Sequence, residues 1–134
     1  MSRTGPPKAA GTAAFAELEW NEQGLPRSRL FDDVYFSAAD GMAESRYVFL
    51  EGNALPERWS RLAASERFLV GETGFGTGLN FLNAWELFNE VAPDSAQLEF
   101  LSIEAYPLSP ADLDRAHATW PDLMALSAQL RAHY

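Results

Sequence analysis

The residues best suited to chemistry lie within positions 68–80, where an acid and three glycines follow a short apolar run. The acid is Glu72, and the glycines occupy alternate positions after it: Gly74, Gly76 and Gly78. A helical pattern begins directly behind them, at Leu79. This order predicts a strand, a tight turn and a helix. In such a layout a ligand can contact the backbone N–H groups of the turn at the N-terminus of the helix.

Each part of this segment has a physical reason to hold a ligand. Glycine has no Cβ, so the turn can adopt positive φ angles and its backbone can approach a ligand closely. The first turn of the helix offers unpaired N–H groups and the positive end of the helix dipole, which suit a carboxylate or a phosphate. Glu72 adds an acceptor and a negative charge, so it suits an ammonium or hydroxyl group and repels a phosphate.

The spacing of the glycines discriminates between cofactors. The dinucleotide fingerprint G-x-G-x-x-G requires glycine where this chain has Leu79, and a phosphate-binding loop requires a Lys that this segment lacks. The pattern Gly-Glu-Thr-Gly-x-Gly-x-Gly instead resembles the first motif of class I S-adenosylmethionine-dependent methyltransferases, whose cofactor carries an amino-acid end and no phosphate. The alternative is a glycine-rich turn with a packing role only.

A second acid, Glu104, ends the next predicted strand, residues 98–104. Because the two parallel strands of a βαβ unit end at the same edge of the sheet, Glu104 is expected beside the glycine turn. A carboxylate there can accept hydrogen bonds from both hydroxyls of a ribose, and Tyr106 just beyond it can lie against an adenine. The alternatives are an ordinary strand-end acid and a tyrosine that touches no ligand.

The chain before the glycine turn has a β-rich pattern, from residue 15 to residue 50. A hairpin is predicted around the turn at 21–24, the stretch 31–37 follows, and 46–50 is a further predicted strand. Within 31–37, Asp32 and Asp33 can bind an amine or a ribose, and the aromatic residues beside them, Tyr35 first, can stack on a base. The alternative, slightly favoured by composition, is an edge strand with solvated acids and core aromatic side chains.

Helices are predicted to alternate with the later strands. Ser109 as N-cap followed by Pro110 marks one helix start, the next helix covers 122–132, and His117 is expected on a helix surface. The alternation predicts an α/β fold with a doubly wound sheet. We expect residues 1–14 to be a flexible tail and 15–134 to be the N-terminal portion of an incomplete domain, because the last helix should lead into a further strand.

Composition excludes several classes of protein. The chain has 134 residues, a formal net charge of −9, no Cys and two His. Without Cys there are no disulfides, zinc–thiolate sites or cysteine nucleophiles, and two histidines are too few for a histidine metal site. With no signal-peptide pattern and no run of ~20 apolar residues, we expect a soluble, cytoplasmic protein without a metal or a membrane partner. The acidic charge disfavours nucleic-acid binding.

Four stretches together resemble one specific family: residues 31–37, 45–50, 71–82 and 103–108. They are similar to the N-terminal methyltransferase domain of the bifunctional proteins that complete 5-methylaminomethyl-2-thiouridine at the wobble position of tRNA. The similarity extends from about residue 15 to the end of the chain. Its most specific part is 71–82, because Asn80-Phe81-Leu82 follows the glycines in register.

The resemblance implies a class I methyltransferase fold, α/β and Rossmann-like, of which this chain holds the N-terminal part preceded by a β-rich segment. It implies transfer of a methyl group from S-adenosylmethionine to the primary amine of 5-aminomethyl-2-thiouridine, with tRNA as the partner. FAD belongs to a C-terminal oxidoreductase domain of full-length members, which has no counterpart in this chain.

The family's cofactor-binding residues correspond to one set in this chain: Glu72, Gly74, Gly76, Gly78, Asn80 and Glu104. Asp32, Asp33 and Tyr35 fall in the family's N-terminal signature and are implied to border the cofactor or substrate pocket. The catalytic residues stay unassigned, because the family's acidic and aromatic cluster near the acceptor amine has no counterpart here. Two alternatives remain: a small-molecule methyltransferase, which the acidic charge favours, and an inactive S-adenosylmethionine-binding fragment.

Overall fold

The computed structural model describes residues 14–37 and 40–134. The strands within these ranges are β1 (Leu18–Trp20), β2 (Pro26–Ser28), β3 (Asp33–Val34), β4 (Arg67–Thr73) and β5 (Gln97–Ile103). The helices are α1 (Gly41–Ser45), α2 (Leu55–Ser60), α3 (Leu79–Val91), α4 (Pro110–His117) and α5 (Met124–His133), with a π-helical segment at Arg46–Glu51 and a 3₁₀ turn at Pro121–Leu123. The predicted tail, residues 1–14, lies outside the described residues except for Ala14.

A small antiparallel sheet, in the order β1-β2-β3, begins the structure. Its first turn is held by Asn21, whose side-chain oxygen accepts hydrogen bonds from the backbone N–H groups of Gln23 (3.0 Å) and Leu25 (2.9 Å). Gly24 completes the turn at a φ of 75°, a left-handed conformation that glycine adopts without strain. The predicted hairpin is confirmed.

The centre of the fold is a βαβ unit made of β4, α3 and β5. The two strands pair in parallel, in a register that runs from Arg67 opposite Gln97 to Thr73 opposite Ile103. The strand, turn and helix predicted for residues 68–80 are therefore confirmed, and so is the strand predicted for 98–104. Both strands end at the same edge of the sheet, next to the first residue of α3.

Helices cover one face of this parallel sheet. Trp59 of α2 is fully buried, and its ring meets Phe68 of β4 and Phe88 of α3 edge-to-face, with ring centroids 5.8 and 5.3 Å apart. Successive strand residues alternate between this covered face and the opposite one. In the part of the chain that the structure describes, the opposite face exposes three apolar side chains: Leu69, Leu101 and Ile103.

A second apolar cluster joins the N-terminal sheet and the C-terminal helices to α3. The rings of Phe36 and Trp120 pack with centroids 4.7 Å apart, and four buried leucines complete the cluster: Leu25, Leu79, Leu82 and Leu123. This packing places α4 and α5 beside the turn between β4 and α3.

The C-terminal helices begin largely as predicted. At the start of α4, the hydroxyl of Ser109 accepts a hydrogen bond from the N–H of Asp112 (3.1 Å), and Pro110 occupies the first helical position. The helix predicted from residue 122 is divided, because a 3₁₀ turn comes before α5. None of the helices in the described ranges is long and apolar enough to cross a membrane.

Residues 46–50 form a helix, so the predicted strand there is wrong. α1 continues into the π-helical segment, in which the N–H of Gly52 donates to the carbonyl of Tyr47 (3.0 Å). The segment buries Leu50 and exposes Tyr47 and Val48. A short apolar run in a sequence does not distinguish a buried strand from a helix. Here the segment is helical because it packs against α3 in that conformation. The β-rich segment thus ends with β3.

The end of the π-helical segment provides a test of the fold. A Cβ on Gly52 would overlap the carbonyl oxygen of Val48, although the φ of −58° suits any residue. We expect Gly52→Ala to lower the free energy of unfolding by about 1–3 kcal/mol, because the backbone must shift to relieve the overlap. Gly71→Ala is the matched control, since nothing lies within 4 Å of a Cβ at that position. Denaturant unfolding measures both, and equal stability of the two variants contradicts the prediction.

Candidate functional site

The glycine loop, residues 74–78, connects β4 to α3 in a conformation that requires glycine. The φ angles are 82°, 56° and 76° at Gly74, Gly76 and Gly78. Other residues adopt such left-handed angles only with strain. The N–H of Gly74 donates to the carbonyl of Ile103 (2.7 Å), so the first residue of the loop still pairs with β5.

Glu104, directly after β5, bonds across the glycine loop. One carboxylate oxygen accepts the N–H of Gly76 and the other accepts the N–H of Tyr106, each at 2.9 Å. Glu104 and Gly76 are thus brought together, as the shared sheet edge predicts. Each carboxylate oxygen keeps a further lone pair with which to accept a ligand hydroxyl.

Glu72, near the end of β4, belongs to a network of polar side chains. Its carboxylate accepts hydrogen bonds from Nδ2 of Asn80 (3.0 Å) and from the hydroxyl of Ser102 (2.8 Å). Asn80 in turn accepts a hydrogen bond from the hydroxyl of Ser45 (2.6 Å), so the network links β4, α3, β5 and α1. Burial raises the pKa of Glu72 and the charge of Glu104 raises it further, while the two hydrogen bonds oppose the shift.

A cavity of about 1000 Å³ is lined by the glycine loop and by residues around β3, α1 and the end of β5. Three carboxylates face it, from Asp33, Glu44 and Glu104, and no basic side chain occurs among its described lining residues. In the described part of the chain, no group of His, Cys, Asp or Glu is suited to hold a metal ion. The carboxylates favour a positively charged or hydroxyl-bearing ligand and oppose a phosphate.

Tyr35 lies over the middle of the glycine loop. A Cβ on Gly76 would lie 3.3 Å from Cδ1 of Tyr35, so a larger residue at this position would push on the ring. Burial raises the pKa of Tyr35, and the charge of Glu104 adds to the rise. The phenol therefore stays protonated at neutral pH and can donate a hydrogen bond.

The structure brings most of the predicted site residues together. Those that line the cavity are Asp33, Tyr35, Gly74, Gly76, Asn80 and Glu104. Glu72 and Gly78 lie outside the lining, where Glu72 binds Asn80 and Gly78 precedes the first residue of α3. Asp32 lies apart: it has a φ of 55° and forms an exposed ion pair with Arg27 (2.7 Å). Of the two adjacent acids, only Asp33 reaches the cavity.

Sequence reasoning missed the two serines of the polar network. Ser102 lies opposite Glu72 in the register of β4 and β5, so correct alignment of the two predicted strands would have identified it. Ser45 lies at the end of α1, next to the segment that was wrongly predicted as a strand. Only the tertiary packing of α1 on α3 brings it to Asn80.

The prediction that His117 lies on a helix surface is wrong. Its side chain is 3% exposed, and its Nε2 lies 2.8 Å from the carbonyl oxygen of Thr77 in the glycine loop. The available signal was Leu113, because residues four apart share one face of a helix. Leu113 is fully buried, and the same face of α4 buries His117.

Comparison with known proteins finds close relatives of this chain. It is 60% identical over 119 residues to the tRNA 5-methylaminomethyl-2-thiouridine biosynthesis bifunctional protein MnmC of Pseudomonas fluorescens Pf-5. It is 53% identical over 124 residues to the protein of the same name from Vibrio campbellii. Each match covers 89% of this chain and 18% of the relative. No family model matches the chain.

The chain also resembles a solved structure, the crystal structure of MNMC2 from Aquifex aeolicus. The TM-score is 0.58 at 23% sequence identity, over 72% of this chain and 31% of that one. This likeness shows a shared mixed α/β fold. The sequence matches add that the chain is homologous to one segment of the MnmC bifunctional proteins, 18% of their length. The family resemblance predicted from the sequence is confirmed.

The raised pKa of Glu72 predicts that this residue destabilises the fold at neutral pH. As pH rises above the ordinary value of 4.5, the unfolded chain releases the proton first and the folded chain keeps it up to the raised pKa, so stability falls through this interval. We expect Glu72→Gln to be more stable than the wild type near about pH 7 and the difference to shrink near about pH 4. Ser102 can accept a hydrogen bond from the new amide, so the network stays satisfied.

Denaturation curves at the two pH values measure this difference. Glu90→Gln is the control, because it removes the same charge from an exposed position of α3. A Glu72→Gln variant that is less stable than the wild type at neutral pH would contradict the prediction.

Proposed function

We propose that this chain is part of a class I S-adenosylmethionine-dependent methyltransferase. In this proposal the βαβ unit belongs to a larger, doubly wound sheet. The parent protein acts in the cytoplasm, where it methylates the primary amine of 5-aminomethyl-2-thiouridine in tRNA to give 5-methylaminomethyl-2-thiouridine. The observation that carries the proposal is a cavity lined by carboxylates and by a loop of left-handed glycines.

The residues present suit S-adenosylmethionine better than a phosphate-bearing nucleotide. This cofactor has a sulfonium and an ammonium group, which the carboxylates of Asp33, Glu44 and Glu104 attract. Glu104 also has the acceptor capacity for the ribose hydroxyls. The missing Cβ at Gly76 leaves space between the loop and Tyr35. The other assigned residues supply loop backbone and loop support: Gly74, Gly78, Asn80 and Glu72.

The chain's own contribution to the reaction is positioning. When bound, S-adenosylmethionine supplies a methyl group that is already activated on sulfur. The glycine loop and Glu104 orient the methyl donor, and alignment of reactants can lower a barrier by about 7–11 kcal/mol at best. The acceptor amine must first lose a proton, because an alkylammonium has a pKa of about 10. Glu72 and Glu104 hold the loop and the cofactor in this scheme, so neither is the base for that proton.

The names of the relatives support tRNA as the substrate of the parent protein. Proteins 53–60% identical to this chain are named for the biosynthesis of a modified uridine in tRNA. The net charge of −9 opposes contact with a phosphate backbone. We therefore assign the tRNA contacts to parts of the parent protein outside the 18% that this chain matches.

The same net charge favours a second candidate, a methyltransferase for a small-molecule amine. Transfer of a labelled methyl group from S-adenosylmethionine separates the two. Label in tRNA that carries 5-aminomethyl-2-thiouridine supports the first, and label only in small primary amines supports the second. Cofactor binding without transfer to either acceptor assigns this chain a binding role alone.

Substitution of Gly76 tests the cofactor assignment. Valine at this position is strained at a φ of 56° and crowds the ring of Tyr35. We expect Gly76→Val to weaken S-adenosylmethionine binding at least about a hundredfold, because the loop and the ring are displaced from the cofactor. Gly24→Val is the matched control. Its φ of 75° imposes similar strain, but nothing lies within 4 Å of a Cβ there.

Isothermal titration calorimetry of both variants measures the affinity, with thermal melts to confirm folding. The control is expected to lose stability and keep its affinity. If Gly76→Val folds and binds as tightly as the control, the glycine loop is not the cofactor site.

A further inference from the structure

A buried histidine on α4 joins the glycine loop to α5. Nε2 of His117 lies 2.8 Å from the carbonyl oxygen of Thr77, and Nδ1 lies 3.1 Å from Nη1 of Arg131. Thr77 stands between Gly76 and Gly78 and is itself 4% exposed. The contact thus reaches the centre of the loop from α4, whereas Glu104 binds the neighbouring residue Gly76 from the end of β5.

The partners of the ring determine which nitrogen carries the hydrogen. A guanidinium group only donates, so Nδ1 of His117 accepts from Arg131 and carries no hydrogen. Nε2 therefore carries the hydrogen and donates it to the carbonyl of Thr77. Arg131 is oriented in turn by Asp114, whose carboxylate lies 3.2 Å from Nε of the guanidinium.

We propose that His117 is a positioning residue for the cofactor site: as a neutral Nε2–H tautomer it holds the carbonyl of Thr77 and so fixes the glycine loop in its ligand-binding conformation. The inference deepens the proposed function and rests on the assignment of the loop to S-adenosylmethionine. His117 itself is not in the cavity lining, so it acts through Thr77.

The loop needs such a contact because its glycines are conformationally permissive. Glycine loses more backbone freedom on ordering than any other residue, and Thr77 has a glycine on each side. A loop that is already ordered spares the ligand this entropic cost on binding. Glu104 fixes Gly76 from β5, and His117 fixes the next residue from α4.

Protonation of His117 removes this arrangement. A hydrogen on Nδ1 would point at the guanidinium of Arg131, the charged group that faces the ring from α5, while Asp114 faces it from α4. Burial lowers the pKa of His117 below 6.5, and the charge of Arg131 lowers it further. The hydrogen bond to the Thr77 carbonyl and the charge of Asp114 oppose this shift. The neutral ring is therefore the predominant form at pH 6.5 and above. Below that value the unfolded chain takes up the proton first, so stability falls as pH falls toward the lower folded pKa.

Paired substitutions separate positioning from space filling. Glutamine extends an amide N–H about as far from the backbone as Nε2 of histidine, whereas asparagine stops one bond short. We expect His117→Asn to lose the hydrogen bond to the carbonyl of Thr77 and to raise the Kd for S-adenosylmethionine about tenfold. His117→Gln is expected to keep that hydrogen bond, so its Kd should stay within about threefold of the wild-type value. Hydrogen exchange at residues 74–80 is expected to quicken in the asparagine variant alone. Equal behaviour of the two variants overturns the proposal.

A measurement on the wild-type chain covers the case in which a variant does not fold. Long-range ¹H–¹⁵N spectra are expected to show His117 as the neutral Nε2–H tautomer near about pH 7.5, with signals assigned by His133→Gln, since His133 is the other histidine of the chain. An Nδ1–H tautomer or an imidazolium at that pH overturns the proposal. If the wild type does not bind S-adenosylmethionine, the proposed function fails, while the exchange and tautomer results still decide whether His117 fixes the loop.

Discussion

The parallel pairing of β4 and β5 is the constraint on which the candidate site depends. Because β4 and β5 run in the same direction, both strands end at one edge of the sheet. There the carboxylate of Glu104 accepts a hydrogen bond from the N–H of Gly76. The bond from Gly74 to the carbonyl of Ile103 extends the pairing into the loop itself. A slip of one residue would turn Ser102 to the other face of the sheet and leave Glu72 without that donor. Strand register thus fixes the positions of both acids.

The parts of the fold that could be predicted are those with local causes. The turn between β4 and α3 was predictable because left-handed backbone at Gly74, Gly76 and Gly78 admits few residues other than glycine. The start of α4 was predictable because a serine N-cap and a proline act within one turn. The meeting of Glu104 with the loop needed one further step, the rule that parallel strands of a βαβ unit end at the same sheet edge.

The parts that could not be predicted depend on tertiary packing. Tyr-Val-Phe at 47–49 has strand-forming side chains, yet the segment is helical because burial of Leu50 and the contact between Ser45 and Asn80 hold it on α3. The helix face that His117 shares with Leu113 indicates that the histidine is buried, but only the position of the glycine loop supplies its hydrogen-bond partner. In both cases a long-range contact outweighs local propensity, a contact that one sequence alone does not reveal.

The distribution of negative charge connects the stability of the site with the kind of ligand that suits it. Burial raises the pKa values of Glu72 and Tyr35, and the charge of Glu104 raises them further, which means that these groups disfavour negative charge near one another. A cationic ligand beside them relieves this repulsion and is bound more tightly for the same reason, whereas a phosphate adds to it. Binding to the folded state alone also stabilises it by mass action.

The acidic net charge of the chain therefore opposes nucleic acid at long range, while the local cluster of carboxylates favours a sulfonium or ammonium group inside the cavity. The two effects act at different distances, so the same acidic residues are compatible with both parts of the proposed function, a cationic cofactor bound in this segment and tRNA contacts made by other parts of the parent protein.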